Sequence, residues 1–229
     1  MVDVKSNPAL ETLYCNNVAI GELNIVNNTQ LTKLECHTNA DLTTLTCYND
    51  FDFTNTFVSL DKGVDIINVA GERACPEVGD LIEVNGGIGV VFNVSNESFK
   101  IISIEETTAK WGPKNYTTNA ANYDNGAENM ATIKSIDSSL SNYPAFKWCD
   151  EYGTDWYLPS IHELNAISKI RSTINSTLNA NNCTTLGTGY YWSSTEYSGN
   201  YAFCTNFSSG YNYNESKSYT YNVRAILAF

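Results

Sequence analysis

A short hydrophobic repeat in the first quarter of the chain is the feature that most restricts its fold. Between residues 7 and 53, apolar residues recur with a period of 10 to 11, in the pattern L-x-x-L-x-[C/I] with Asn or Asp three positions later. The four units are Leu10–Leu13–Cys15, Ile20–Leu23–Ile25, Leu31–Leu34–Cys36 and Leu42–Leu45–Cys47, and the polar positions are Asn28, Asn39 and Asp50. A period this regular predicts stacked short strands.

The units resemble leucine-rich repeats, in which an Asn ladder ties stacked strands together. Because eleven residues are too few for a whole coil, two units would form one coil of about 22 residues. Residues 10–15 should then stack on 31–36, and residues 20–25 on 42–47. We therefore expect a leucine-rich-repeat-type β-solenoid stub over residues 1–53. With about two coils and no polar cap before the first, the natural protein is expected to continue upstream.

The rest of the chain is expected to form a linker, residues 54–76, and a second domain, residues 77–229. In that domain the sequence predicts strands over 81–84, 88–94 and 99–104, a long loop over 107–126, and strands over 190–195, 201–207 and 219–229. Helices are predicted over 129–140 and 145–152. Ser160 and Glu163 form a capping box before apolar residues spaced by three or four up to Leu178, which predicts one helix of about 18 residues.

Composition and charge exclude several classes of partner. The formal net charge is -12, which disfavours nucleic acid and anionic membranes. No apolar run reaches the length of about 18–20 residues that a membrane helix needs. The N-terminus lacks the pattern of a secretory signal, so the chain is expected to be intracellular, a mature form or a fragment, and the repeats favour a fragment.

The seven cysteines fall into two groups. Cys15, Cys36 and Cys47 occupy repeat positions where a small buried hydrophobe would serve. The others are Cys75, Cys149, Cys183 and Cys204, which could form one or two disulfides or remain buried thiols. No CxxC pair occurs, so a structural zinc site is not expected.

Three motifs follow one another in the second domain. They are G-T-D-W-Y-L-P-S at 153–160 with Glu163 and Leu164, Y-W-S-S-T-E at 191–196, and N-V-R-A at 222–225. Together they resemble a surface domain of Fibrobacter major paralogous proteins and of Bacteroidetes proteins of unknown function. The resemblance implies a C-type-lectin-like fold, so that the chain as a whole is expected to be α+β, and it implies a secreted or cell-surface location. Calcium-lectin tripeptides are missing, and neither a metal nor a cofactor is expected.

Tyrosine and asparagine are concentrated near the C-terminus, as they are in many binding surfaces. The candidate ligand-binding residues lie in or beside predicted turns: Tyr197, Asn200, Tyr211, Asn212 and Tyr213. Trp111, in the long loop, is a further candidate, with a structural role as the alternative. Other motif residues should be structural: Trp156 and Trp192 in the core, Glu163 as a helix cap, and Arg224 paired with Glu196.

Catalysis has little support in the sequence. The two histidines, His37 and His162, have no recognisable catalytic partner nearby, and no nucleophile elbow, phosphate loop or HExxH motif occurs. We therefore expect a non-catalytic module that binds a glycan or a protein. Two alternatives stay open: an enzyme related to formylglycine-generating enzymes, which would require two of Cys149, Cys183 and Cys204 together in an open cleft, and a structural subunit of a surface appendage.

Overall fold

A computed structural model describes residues 4, 6–47, 57–61, 64–68, 76–84, 87–95 and 98–229. Asp50 and Cys75 lie outside these residues. The chain divides into two compact units: unit 1 is Met1–Ile101 with Ala228–Phe229, and unit 2 is Ile102–Leu227. The domain limits at residues 53 and 76 remain predictions.

Unit 1 is built from short strands in two sheets. The strands are β1 (Thr12–Tyr14), β2 (Glu22–Asn24), β3 (Lys33–Cys36), β4 (Thr44–Cys47), β5 (Phe57–Leu60), β6 (Asp65–Asn68), β7 (Leu81–Val84), β8 (Gly87–Ser95) and β9 (Ser98–Ser103). Strands β2, β4 and β6 form a three-stranded parallel sheet. A seven-stranded sheet has the order β1-β3-β5-β7-β8-β9-β15, where β15 is Ile226–Ala228.

The predicted pairing of repeat units is confirmed. Leu13 pairs in parallel with Leu34, and Leu23 with Leu45, so that equivalent apolar side chains of successive units enter one buried cluster. Asn39 ties the units together, because its amide donates to the carbonyls of Cys15 at 2.7 Å and Cys36 at 3.0 Å. Buried backbone carbonyls need such donors, which explains the recurring Asn.

The expected fold class is wrong. The described chain is mostly β-sheet, in three sheets, with four short helices, rather than an α+β lectin-like domain behind a leucine-rich-repeat stub. The repeat strands do not form a stub at all, because β1 and β3 continue through β5 into the same sheet as β7 and β8. The period of the sequence predicted which repeat strands pair. It did not predict that the sheet continues through β5 to β7, because those strands lie after the repeat.

Two of the repeat cysteines are bonded to each other. Cys15 and Cys36 form a disulfide across adjacent strands, with their Cα atoms 4.9 Å apart. The interpretation of these two residues as simple buried hydrophobes is therefore wrong, whereas Cys47 is a buried free thiol. The predicted stacking of residues 10–15 on residues 31–36 already brings Cys15 close to Cys36, and the disulfide between them is the part that the repeat did not indicate.

Unit 2 contains four helices and a five-stranded sheet. The helices are α1 (Gly126–Ile136), α2 (Pro144–Tyr152), α3 (Ile161–Lys169) and α4 (Arg171–Ala180). The sheet strands are β10 (Thr107–Lys110), β11 (Tyr190–Glu196), β12 (Tyr201–Asn206), β13 (Asn212–Ser216) and β14 (Thr220–Val223), in the order β10-β14-β11-β12-β13. No helix in the described part of the chain has both the length and the apolar character needed to cross a membrane.

The helix predicted after Ser160 starts as expected but does not continue as one rod. The capping box is present: Ser160 accepts from the Glu163 amide, and the Glu163 carboxylate accepts from the Ser160 amide. The helix ends at Lys169 and a second one begins at Arg171, because Ile170 leaves the helical region with φ -111° and ψ 20°. Both helices bury apolar side chains, so the spacing of hydrophobes did not reveal the break.

Strands β10 and β13 were not predicted, and the last predicted strand is divided into β14 and β15. The division lies at Arg224, whose side chain turns inward and pairs with Glu106 at 3.0 Å. It also donates to the carbonyls of Ser103 and Thr184. The predicted Arg224–Glu196 pair is therefore wrong. Arg224 is surrounded by acceptors, as a buried guanidinium must be.

Candidate binding site

A groove in unit 2 combines aromatic, amide, hydroxyl and ammonium groups. It has a volume of ≈ 450 Å³ and lies between the C-terminal half of α3 and the turn that joins β12 to β13. Its lining consists of Asn165, Ser168, Lys169, Phe207, Ser208, Ser209, Gly210, Tyr211 and Asn212. Two of the predicted ligand-binding residues, Tyr211 and Asn212, are therefore brought together in one concave surface.

The turn that carries Tyr211 is held by its own polar groups. The Asn206 side chain accepts hydrogen bonds from the amides of Ser208 at 2.8 Å and Ser209 at 3.2 Å. The Asn206 amide donates to the Tyr211 carbonyl at 2.9 Å. Gly210 has φ 74°, a left-handed conformation that glycine adopts without strain. Tyr211 is 70% exposed, so a turn of fixed shape presents a free aromatic ring.

Two of the lining side chains, those of Asn165 and Asn212, are linked by the buried residue Thr205. Its hydroxyl lies 2.9 Å from the side-chain oxygen of Asn212 and 3.3 Å from that of Asn165. A hydroxyl carries a single proton and can donate to one of these amides at a time. The pair of amides therefore retains hydrogen-bonding capacity for a ligand. Arg171 supports the same region by donating to the Phe207 carbonyl at 2.7 Å.

Lys169 supplies the positive charge of the groove. It is an exposed residue in the last turn of α3, where a cation also interacts favourably with the helix dipole. In a chain of net charge -12, a lysine beside Tyr211 creates a local site for negatively charged or strongly polar groups. The groove can thus stack an apolar ring face and hydrogen-bond the polar edge of the same ligand.

Tyr213 does not share the groove with Asn212. Strand residues alternate between the two faces of a sheet, and Asn212 lies opposite Thr205 whereas Tyr213 lies opposite Cys204. The Tyr213 ring packs at 5.6 Å from that of Tyr190 on the other face. Three consecutive tyrosine and asparagine residues therefore belong to two different surfaces.

Tyr197 and Asn200 lie in the turn between β11 and β12, away from the groove lining. Tyr197 is exposed, and its ring contacts that of Phe203 at 5.3 Å. The side chain of Asn200 accepts from the Asn115 amide at 3.0 Å, and the Gly199 carbonyl accepts from the Tyr116 amide. Asn200 thus holds the long loop against the turn.

Trp111 is fully buried, so its ring is not presented to a ligand. Its indole nitrogen donates to the Ser193 carbonyl at 2.8 Å, and its ring packs at 5.0 Å from that of Phe146. The Lys217 ammonium lies 4.7 Å from the centre of the indole ring. Of the two interpretations that the sequence left open, the geometry matches the structural one. Trp156, Trp192 and Glu163 have the structural roles predicted for them.

The cysteines required by the enzyme alternative do not form an open pair. Cys149 and Cys204 are fully buried, Cys183 is partly exposed, and all three are free thiols. Burial raises the pKa of the Cys204 thiol to about 12 and that of Cys149 well above its ordinary value. Thiols of this kind are mostly protonated at neutral pH. Within the described residues, no cluster of three or more His, Cys, Asp or Glu side chains could hold a metal ion.

Sequence reasoning missed the helical side of the groove. Asn165, Ser168 and Lys169 are the polar face of α3, which the apolar spacing marked only as a core helix. The signal available in the sequence was the polar side of that helix, but strand β13, which follows Tyr211, was not predicted. Only the order of strands and helices in space joins these distant segments.

The chain is similar to a protein family and to a protein of known structure. The family model described as the Lcl C-terminal domain matches residues 102–227, more than half of the chain. A fimbrial protein from Bacteroides ovatus ATCC 8483, known from a crystal structure, is similar with a TM-score of 0.46 and 20% identity over 57% of this chain. The match covers 36% of that protein, about a third of its length. No curated protein gives a match.

Proposed function

The chain belongs to the family of the Lcl C-terminal domain, and we propose that unit 2 is a non-catalytic binding module that recognises a glycan through the groove of Tyr211 and Asn212. The observation that carries this proposal is the exposed ring of Tyr211 beside two amides and the ammonium of Lys169. A sugar ring offers an apolar face for stacking and hydroxyls for hydrogen bonds, and this groove offers a partner for each.

The preformed shape of the groove favours recognition. The turn is fixed by Asn206 and Gly210, so binding would cost little conformational entropy. Tyr211 would provide the stacking surface, Asn165 and Asn212 the directional hydrogen bonds, and Lys169 a contact for a carboxylate or another anionic group. We propose that the module acts outside the cell or on its surface.

The test is a screen of the purified chain on an array of neutral and acidic glycans, in calcium and in EDTA, with three variants. Tyr211→Ala should weaken binding by about tenfold or more, as loss of a stacked aromatic contact does. Lys169→Gln should weaken only the binding of acidic glycans. Tyr197→Ala removes another exposed tyrosine, outside the groove, and should leave glycan binding unchanged. Equal losses in Tyr197→Ala and Tyr211→Ala would contradict the assignment to the groove.

A subunit of a surface appendage is the second candidate. It is favoured by the position of β13 at the edge of the five-stranded sheet with Asn212, Tyr213 and Asn214 exposed, because an exposed edge strand can pair with another chain. Mass photometry of the purified chain across a range of concentrations tests it. Ordered oligomers that dissociate when Asn214 is replaced by proline would support assembly, and a monomer at every concentration would count against it.

A further inference from the structure

The face of the five-stranded sheet opposite the groove carries a continuous patch of rings, which we name the aromatic platform. It consists of Tyr190, Trp192, Tyr213, Tyr219 and Tyr221. Tyr190 packs at 5.6 Å from Tyr213 and at 5.0 Å from Tyr221, measured between ring centres. Tyr221 continues the row to Trp192 at 4.8 Å and to Tyr219 at 6.1 Å. The platform therefore extends across strands β11, β13 and β14.

The outer rings of the aromatic platform are exposed. Tyr213 and Tyr219 are open to solvent, Tyr190 and Tyr221 are partly buried, and Trp192 lies fully buried beneath them. The other face of the same sheet is the one that meets helix α3, where Thr205 contacts Asn165. Exposed aromatic patches of this extent are typical of interaction surfaces.

One acidic side chain adjoins the platform. Glu215 lies on the same face, because it is two residues from Tyr213 and pairs with Ala202, two residues from Cys204. Burial, followed by the charge of Glu215, raises the pKa of Tyr221 to about 12. The Glu215 carboxylate beside these ring faces complements a cation.

We propose that the aromatic platform is a docking surface for an arginine-bearing segment of a partner protein, whose guanidinium groups stack on Tyr213 and Tyr219 and pair with Glu215. A guanidinium group is planar, weakly hydrated and able to bind a carboxylate through two nitrogens, so it can use the ring faces and the acid together. The electron-rich faces of tyrosine add cation–π attraction. Because β13 is an edge strand, an extended segment can lie along it with its side chains over the platform.

This surface is separate from the groove, and the inference does not depend on glycan binding there. The probe is a blocked Gly-Arg-Gly-Arg-Gly-Arg-Gly peptide, titrated by calorimetry into the full chain. The matched probe replaces each arginine by citrulline, which keeps the shape and removes the charge. The arginine peptide should bind at least about tenfold more tightly than the citrulline peptide.

Variants locate the binding. Tyr213→Ala and Tyr219→Ala should each weaken it by about threefold, and Glu215→Gln by about threefold or more. Tyr211→Ala, on the groove side, and Glu22→Gln, which removes an equal charge from unit 1, should leave it unchanged. Circular dichroism would verify that these variants, all at exposed or partly exposed positions, remain folded.

Two results would overturn the inference. If Glu22→Gln weakens binding as much as Glu215→Gln, the attraction comes from the overall charge of the chain and not from the platform. If the citrulline peptide binds equally well, the guanidinium charge is not recognised. Binding of a methyl pyranoside that is lost in Tyr213→Ala, with no binding of the arginine peptide, would instead assign the platform to sugars and overturn the choice of partner.

Discussion

Lys217 and Glu196 form an ion pair in which both side chains are buried, with the ammonium nitrogen 2.5 Å from a carboxylate oxygen. The ammonium also donates to the Tyr116 carbonyl at 2.9 Å. The Glu196 carboxylate accepts from the backbone amides of Thr118 and Asn119. The pair therefore fixes the long loop that follows Trp111 to the end of β11 and to the turn after β13.

Replacing Lys217 by methionine should destabilise the chain strongly. The Glu196 carboxylate would remain buried without its cation, and loss of one partner of a buried pair typically costs about 3–5 kcal/mol. The free energy of unfolding, measured in urea, checks the effect. Lys147→Met is the control, because Lys147 forms an exposed pair with Glu151 at 3.6 Å that should contribute less than about 1 kcal/mol. Equal effects of the two substitutions would contradict the importance of the buried pair.

A methyl group at Gly126 should disrupt the start of α1. An added Cβ would lie 2.5 Å from the Leu158 carbonyl and 2.9 Å from the Glu163 carboxylate, and that carboxylate accepts from the Gly126 amide at 3.1 Å. Gly126→Ala should lower the free energy of unfolding by about 1–3 kcal/mol, as overpacking does. Gly187→Ala is the matched control, since its Cβ would meet only the Tyr191 hydroxyl at 3.7 Å. If Gly126→Ala leaves the free energy of unfolding unchanged, the backbone around Leu158 can move to accept the added Cβ.

Asp137, which caps α1, should make stability depend on pH in acid. The hydroxyl of Ser139 donates to its carboxylate at 2.6 Å and the amide of Asn142 at 3.0 Å, and these bonds hold the pKa of Asp137 well below its ordinary value. Because the folded-state pKa is lower than the unfolded value of about 4, the stabilisation is complete above that value and is lost as the pH falls through the folded pKa.

The comparison for Asp137 is with Asp137→Asn. The wild-type chain should have the higher melting temperature near neutral pH, and the difference between the two should narrow below about pH 4. Melting curves by circular dichroism from pH 2 to pH 7 measure it. Asp41→Asn, at an exposed position in unit 1, controls for the change in net charge. If the difference in melting temperature stayed constant with pH, the fold would not stabilise the charged form of Asp137.

The free thiols should differ sharply in reactivity. Cys204 and Cys149 are fully buried, and the burial that raises their pKa also blocks reagents. Cys183 is partly exposed, so iodoacetamide at pH 8 should modify it first and reach the other two only in guanidinium. Peptide mass spectrometry reads each cysteine separately. Rapid modification of Cys149 or Cys204 in the native chain would show an accessible thiol and would favour the enzyme alternative.

The sequence by itself determined the features that depend on residues close together in the chain or on a regular repeat. The repeat predicted the pairing of Leu13 with Leu34, because equivalent positions in stacked strands must meet to bury their side chains. The capping box of Ser160 and Glu163 is local, since both residues lie within one helical turn. The burial of Trp156 and Trp192 follows from their size and apolar character.

The tertiary structure decided which distant groups share a surface. The sequence placed Tyr211, Asn212 and Tyr213 in one candidate site, but strand alternation divides Asn212 from Tyr213 and the position of α3 adds Lys169 to the groove. Glu106 pairs with Arg224 across 118 positions. Such contacts depend on the order of the strands in space. That order is selected by the free energy of packing summed over the whole core, so no local sequence pattern predicts it.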